Sequence, residues 1–228
     1  MVQLRDTDEG RENTVKLPDV APVIVLRRTA AFPMMILPLA VNREQDTRAV
    51  DRAVSGERLL VLVAEVEDEE GKASLPVPGI AVAAVLQKMV QMPDESRRLV
   101  LRTVARVQVL EITESEGVLM ARIAPVEEKE ARGSDAEALS HALMNAFRRI
   151  VELSPYLPEE AYIQALNVGS TSVLCDLIAS ALPLSVSEQQ QVLNALDVEE
   201  RLKIVNTFAQ RTLTQLEVAN KVGSDSRE

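Results

Sequence analysis

Apolar and polar positions follow one period in the first half of this chain and another in the second. From Pro18 onward, short β-branched runs set the pattern. Pro22–Leu26 reads as a strand, and Leu59–Ala64 as a fully buried one. Ile80–Met92, Arg98–Leu110 and Val118–Val126 continue as a meander, broken by turn-forming residues at Pro93–Ser96 and Glu114–Gly117. Phe32–Leu39 is apolar but carries Pro33 and Pro38, which fits an edge strand or extended rim and excludes a helix interior. One helix interrupts the strands. Asn42 is its expected cap with Gln45 three residues on, Val50, Ala53 and Val54 form its stripe, and Ser55-Gly56 ends it. An acidic loop is expected at Glu65–Gly71. Many strands and one helix predict a small closed or nearly closed barrel.

Beyond the polar stretch Glu127–Gly133 the helical period takes over. Three helix starts carry the capping-box spacing: Ser134 with Glu137, Ser185 with Glu188, and Asp197 with Glu200. Pro158 before Glu159-Glu160 suggests a fourth. The expected helices run over 135–153, 158–167, 171–182, 186–196 and 198–221. In the last, Val198, Leu202, Val205, Ala209, Leu213, Leu216 and Ala219 form a stripe close to a heptad seam. The expected organisation is a flexible leader at 1–17, a barrel at 18–126, a linker at 127–133 and a helical bundle at 134–228 that ends in a long helix. The fold class is α+β.

Composition narrows the chemistry. The chain has 228 residues, of which 46% are hydrophobic and 26% charged, so it can bury a core. Aromatic residues are 2%, so that core is aliphatic, and platforms that stack unpaired bases are disfavoured. The net charge of −10 disfavours nucleic-acid backbones and anionic membranes. Residues 1–125 carry 16 basic and 19 acidic side chains, a net of −3, and the remainder carries −7. One Cys and one His give neither a disulfide nor a Cys/His zinc site. The polar first residues do not read as a signal peptide, and uncharged stretches such as Thr29–Asn42 and Ala73–Gln87 are too short to span a bilayer. The expectation is a soluble, cytoplasmic protein.

Catalytic patterns are missing from the sequence. Gly71-Lys72 is followed by Ala73 and lacks the first glycine of a phosphate loop. No Gly-x-Gly-x-x-Gly, Gly-x-Ser-x-Gly or Ser-x-x-Lys occurs. His141 has no nucleophile at motif spacing, and Cys175 lies among Leu174, Leu177 and Ile178 as a core residue would. Glu67–Glu70 lacks calcium-loop spacing and reads as a solvated charge run. The expectation is a non-catalytic chain without metal or cofactor. Met34, Met35, Met89 and Met92 of the barrel half suit adaptable apolar contacts, although core filling explains them too. Arg98, Arg102 and Arg106 share strand parity and are expected on one face, the best case for a nucleic-acid stripe.

The order of motifs adds to this. Val23-Ile-Val-Leu-Arg-Arg, Phe32-Pro-Met-Met-Ile-Leu-Pro-Leu39 and Asn42-Arg-Glu44 come first. Leu60–Ala64, Pro78-Gly-Ile-Ala-Val82, Ala181–Gln190 and Leu196–Leu202 follow. Together, over about residues 18–222, they resemble the N-terminal domain of Lon, the ATP-dependent protease. The resemblance implies a PUA-like β-barrel followed by a helical bundle, and a role in substrate recognition and assembly. The nucleotide-binding and Ser-Lys catalytic parts of that family lie C-terminal to this region. The parent would be an ATP-dependent serine endopeptidase of protein quality control, whose partners are unfolded or damaged proteins and sister subunits of its ring. The last helix favours a piece of such a protease over a stand-alone substrate-binding protein. A PUA-like RNA-binding module is the further alternative. Candidate contacts are Phe32, Met34, Met35, Met89 and Met92, with Arg43, Glu44 and Arg48 on the first helix.

Overall fold

The computed structural model describes residues 3–4, 15–67 and 70–225, with side chains from 16 to 67 and from 70 to 221. The chain divides into two compact units between Val126 and Glu127.

Among the described residues, the first unit has ten strands and one helix. The short pair β1 (Gln3–Leu4) and β2 (Val15–Lys16) is antiparallel. The main sheet contains β3 (Val20–Leu26), β4 (Ile36–Val41), β5 (Leu59–Ala64), β8 (Gly79–Gln91), β9 (Arg97–Ser115) and β10 (Val118–Pro125). Helix α1 (Glu44–Val54) lies in the crossover that lets β3 and β5 pair in parallel. β6 (Val66–Glu67), inside the expected acidic loop, pairs with β7 (Ala73–Ser74) just beyond it.

The pairings form a ring: β10 to β3, β3 to β5, β5 to β8, β8 to β9, and β9 back to β10. Strand β4 lies outside the ring. It pairs with β9 at Arg97–Arg102, while β10 occupies Val107–Ser115 farther along the same edge of β9. This extra edge makes the sheet a mixed, coiled structure and not a clean barrel.

Small aliphatic side chains fill one face of the ring, among them Val23, Val61, Val63, Ala81, Ala83, Val107, Val109 and Ala121. Alternate residues such as Ile24, Leu60, Leu62, Leu86 and Leu99 are buried as well. Burial on both faces explains why β3 and β5 read as unbroken apolar runs. At the tip of β9–β10, Glu116 and Gly117 both have positive φ, as a tight two-residue hairpin requires. Arg48 of α1 donates to the Glu116 carbonyl there (3.3 Å), and a Cβ on Gly117 would lie 2.6 Å from its guanidinium.

The second unit holds α2 (Ser134–Leu153), α3 (Glu159–Leu166), α4 (Thr171–Ala181), α5 (Val186–Asn194) and α6 (Val198–Asp225). Leu143, Phe147 and Ile150 of α2 are buried, as are Leu202, Val205 and Ala209 of α6, each set at helical spacing. Residue Lys129 is stitched in by Lys129 N–H to the Leu196 carbonyl (3.0 Å) and Val198 N–H to the Lys129 carbonyl (2.9 Å). Ser185 and Glu188 form the expected capping box, and Arg211 of α6 reaches Glu188 at 2.5 Å. That guanidinium also sits 5.1 Å from the Phe208 ring centre. Two capping expectations are corrected. Helix α1 starts one residue later than expected, so Arg43 takes the cap position without a side-chain bond. Gly133, with φ of 94°, takes the break before α2 and leaves Ser134 inside the helix.

Arg201 joins this unit internally. It is 0% exposed. Its Nε and Nη2 donate to the Ala195 carbonyl (2.9 and 2.6 Å), and its Nη1 donates to Ser172 Oγ (2.8 Å). Nη2 also pairs with Glu128, and Nη1 lies 3.6 Å from the buried carboxylate of Asp176. Replacing one partner of a buried pair leaves an uncompensated charge. Arg201→Met is expected to destabilise the chain by about 3 kcal/mol or more, read by urea unfolding followed by circular dichroism.

Candidate functional site

Strand β4 begins with a distortion that decides which of its side chains meet water. Met34 N–H donates to the Thr103 carbonyl (3.1 Å), and Thr103 N–H donates to the Met35 carbonyl (2.9 Å). Two residues on this side therefore oppose one on β9, which is a β-bulge. The Thr103 hydroxyl completes the clamp. It accepts from Met35 N–H (2.8 Å) and donates to the Met35 carbonyl (3.0 Å). Met34 sits at φ of 62°, a conformation unfavourable for any residue with a Cβ. Thr103 is itself buried, so the clamp is shielded from water.

After the bulge, β4 alternates strictly. Ile36, Pro38 and Ala40 are exposed, whereas Leu37, Leu39 and Val41 turn inward. Pro38 supplies no N–H, a usual guard on a strand with one unpaired edge. β9 and β8 continue the same face, with Arg98, Val100 and Arg102 opposite Ala40, Pro38 and Ile36, and with Val90, Lys88 and Val85 beyond them.

The sequence-derived candidates separate on this frame. Phe32 is 2% exposed and offers no surface. Met34 is 44% exposed and Met89 is 37% exposed, while Met35 and Met92 are half-buried. Met89 stands opposite Leu99, four residues along β9 from Thr103, so the four methionines do not gather into one cluster. Ile36 is more exposed than any of them, at 59%, and sequence reasoning missed it. No signal in the apolar run Phe32–Leu39 marks it, because the bulge that sets the parity of everything that follows is fixed by Thr103, distant in sequence.

Glu44 and Arg48 pair with each other, and Arg48 is also engaged at the β9–β10 turn. Arg43 stands exposed at the start of α1. The expected stripe of Arg98, Arg102 and Arg106 is corrected. A second bulge shifts the β8–β9 register between Ala83 and Ala84 and turns Arg106 to the opposite face, where it is buried.

Two charged contacts border this region, and a third titratable group lies on α1. Arg97 grips Asp51 of α1 with both nitrogens (2.5 and 3.2 Å), tying the start of β9 to the helix. In the β8–β9 turn, the Ser96 hydroxyl and N–H bond the Asp94 carboxylate and hold it below the usual range, with Arg98 adding a smaller pull. Burial raises the Asp46 carboxyl on α1, against the nearby charge of Arg27.

A separate groove of about 520 Å³ lies in the helical unit, lined by Arg132, Glu137, Ser140, His141 and Met144. The Ser140 hydroxyl is committed to the Ala136 carbonyl (2.9 Å). Among the described residues no group of three or more His, Cys, Asp or Glu is placed to hold a metal ion. Among them, too, no helix is long and apolar enough to cross a membrane.

The N-terminal domain of a Mycobacterium avium complex Lon protease superposes with a TM-score of 0.69 at 22% identity, covering 84% of this chain and 98% of that one. A Lon N-terminal domain protein from Xanthomonas campestris gives 0.57 at 15% identity, covering 81% and 95%. The family model for the ATP-dependent protease La (LON) substrate-binding domain matches residues 20–211, and the chain belongs to that family. Lon protease of Dictyoglomus thermophilum is 32% identical over 219 residues, which is 95% of this chain and 28% of the relative. Lon protease 2 of Herpetosiphon aurantiacus is 32% identical over 203 residues, 88% and 25% respectively. The chain thus spans about a quarter of the length of these curated relatives.

Thr103→Val keeps the shape of the clamp but removes its hydroxyl, leaving the Met35 N–H without its partner. The expected loss is about 1–2 kcal/mol of unfolding free energy, measured by urea denaturation. Met34→Gly relieves the left-handed strain while adding chain entropy, so its stability should stay within about 1 kcal/mol of the parent.

Proposed function

We propose that this chain is the non-catalytic substrate-recognition part of a Lon-type ATP-dependent serine protease. On this reading it binds exposed apolar segments of unfolded or damaged proteins. The observation that carries the reading is the exposed face of β4, β9 and β8, where Ile36, Pro38, Val90 and Val100 stand within a family defined by substrate binding. Native proteins bury aliphatic side chains, so an aliphatic surface selects chains that have lost their fold. Single contacts of this kind are weak. Sister subunits in the ring of a parent protease would multiply them, because a chain held at one site meets the next at high effective concentration. Met34 lies just ahead of Ile36 and adds adaptable contact, whereas Met89, opposite Leu99, projects from the other side of the sheet. Ile36 takes the place that Phe32 held among the sequence-derived candidates. Arg43, Glu44 and Arg48 of α1 serve neighbouring subunits in this scheme. The setting is the cytoplasm, where protein quality control by an ATP-dependent protease operates.

The test is photo-crosslinking of a reduced, carboxymethylated model protein to chains that carry a photoreactive residue at position 36, 90, 163 or 166. Labelling concentrated at 36 and 90 supports the reading. Uniform labelling, or labelling confined to 163 and 166 of the helical unit, overturns it. The double substitution Ile36→Ser with Val90→Ser removes exposed apolar area without touching the core. It should weaken capture of the unfolded protein about tenfold, measured by fluorescence anisotropy, with the melting temperature unchanged.

A further inference from the structure

The same face carries a charge pattern that the apolar reading leaves unused. Three rows cross the strands: Ile36, Arg102 and Val85; Pro38, Val100 and Lys88; Ala40, Arg98 and Val90. Residues directly opposite on adjacent strands project from the same side of a sheet. Six of these nine side chains are aliphatic or proline, three are cationic, and none is acidic. This occurs in a chain whose net charge is −10. Lys88 and Arg98 are exposed and Arg102 is half-buried. Asp94 borders the face in the β8–β9 turn but is already bonded twice by Ser96.

Along β9 the order is cation, aliphatic, cation at Arg98, Val100 and Arg102. Same-side residues in an extended chain repeat at about 6.7 Å, on the strand and on any extended segment laid along it. A matching segment therefore presents carboxylate, aliphatic and carboxylate at alternate positions.

We propose that this face binds extended polypeptide segments in which Asp or Glu at positions i and i+4 flank an aliphatic residue at i+2. The proposal rests on the reading that this unit captures unfolded chains, and it names which chains are preferred. Nucleic acid shares the negative charge, but the face has no aromatic side chain to stack a base and places Val100 between its cations.

The test uses the full 228-residue chain and fluorescein-labelled peptides with a repeated Glu-Ser-Leu-Ser-Glu, Gln-Ser-Leu-Ser-Gln or Lys-Ser-Leu-Ser-Lys core. The expected order of affinity is Glu over Gln over Lys, with the Glu peptide about tenfold tighter than the Lys peptide at low salt and the gap closing as salt rises. The exposed double variant Lys88→Glu with Arg98→Glu should reverse the order while keeping the melting temperature. Equal binding of all three peptides overturns the charge proposal and leaves the apolar reading standing. No binding of any peptide overturns both. Competition by a single-stranded oligonucleotide that exceeds that of the Glu peptide, and is lost in the double variant, assigns the face to nucleic acid and overturns the proposal.

Discussion

A guanidinium removed from water must have its N–H groups matched by acceptors, and Arg201 meets that demand with four partners from three places in the chain. Ala195 closes the turn before α6, Ser172 and Asp176 belong to α4, and Glu128 lies ahead of α2. Asp176, itself buried, has that cation 3.6 Å from its carboxylate, which offsets part of the cost of burying it. One side chain thereby fixes the start of α6 against α4 and against the segment that enters the unit. The aliphatic stripe of α2 and α6 supplies most of the driving force for packing, but apolar contact is non-directional. The arginine's directional bonds set which faces meet. Where that segment reaches α6, Lys129 repeats the principle at the surface, bonding Asp197 beside the backbone bridge.

The first unit depends on a different constraint, the double use of β9. Its nineteen residues pair with β8 on one edge and share the other between β4 and β10. Two bulges in the middle of the β8–β9 ladder, between Ala83 and Ala84 and between Leu86 and Lys88, bend the strands and adjust which residues face inward. The interior can then be filled mainly by valine and alanine, with Leu59 and Ile123 beside them, and no aromatic side chain belongs to that cluster. Farther along, the same strand presents arginines to water.

Much of this architecture was legible in the sequence. Periodicity located the helices closely: 171–182 was expected where Thr171–Ala181 forms, and 135–153 where Ser134–Leu153 forms. The buried strand Leu59–Ala64 and the edge character of the proline-bearing segment followed from local chemistry alone. Exposure on that segment did not. Phe32–Leu39 is apolar throughout, so nothing in it marks which side faces water. A threonine about seventy residues away makes that choice by clamping Met35. For the same reason the arginine stripe failed, because strand parity holds only until a bulge resets it. Arg201 was invisible as a hub because its acceptors are distant in sequence and a lone arginine reads as solvated.

Strand β4 alone in the main sheet can leave without breaking the ring of pairings. Its loss would uncover part of β9 while β3, β5, β8, β9 and β10 stayed closed on one another. The strand that displays Ile36 is therefore the cheapest part of the sheet to open. Stability and surface chemistry are carried by different strands. An engineer could rewrite the outward residues of β4 to change what the domain captures and leave untouched the core that keeps it folded.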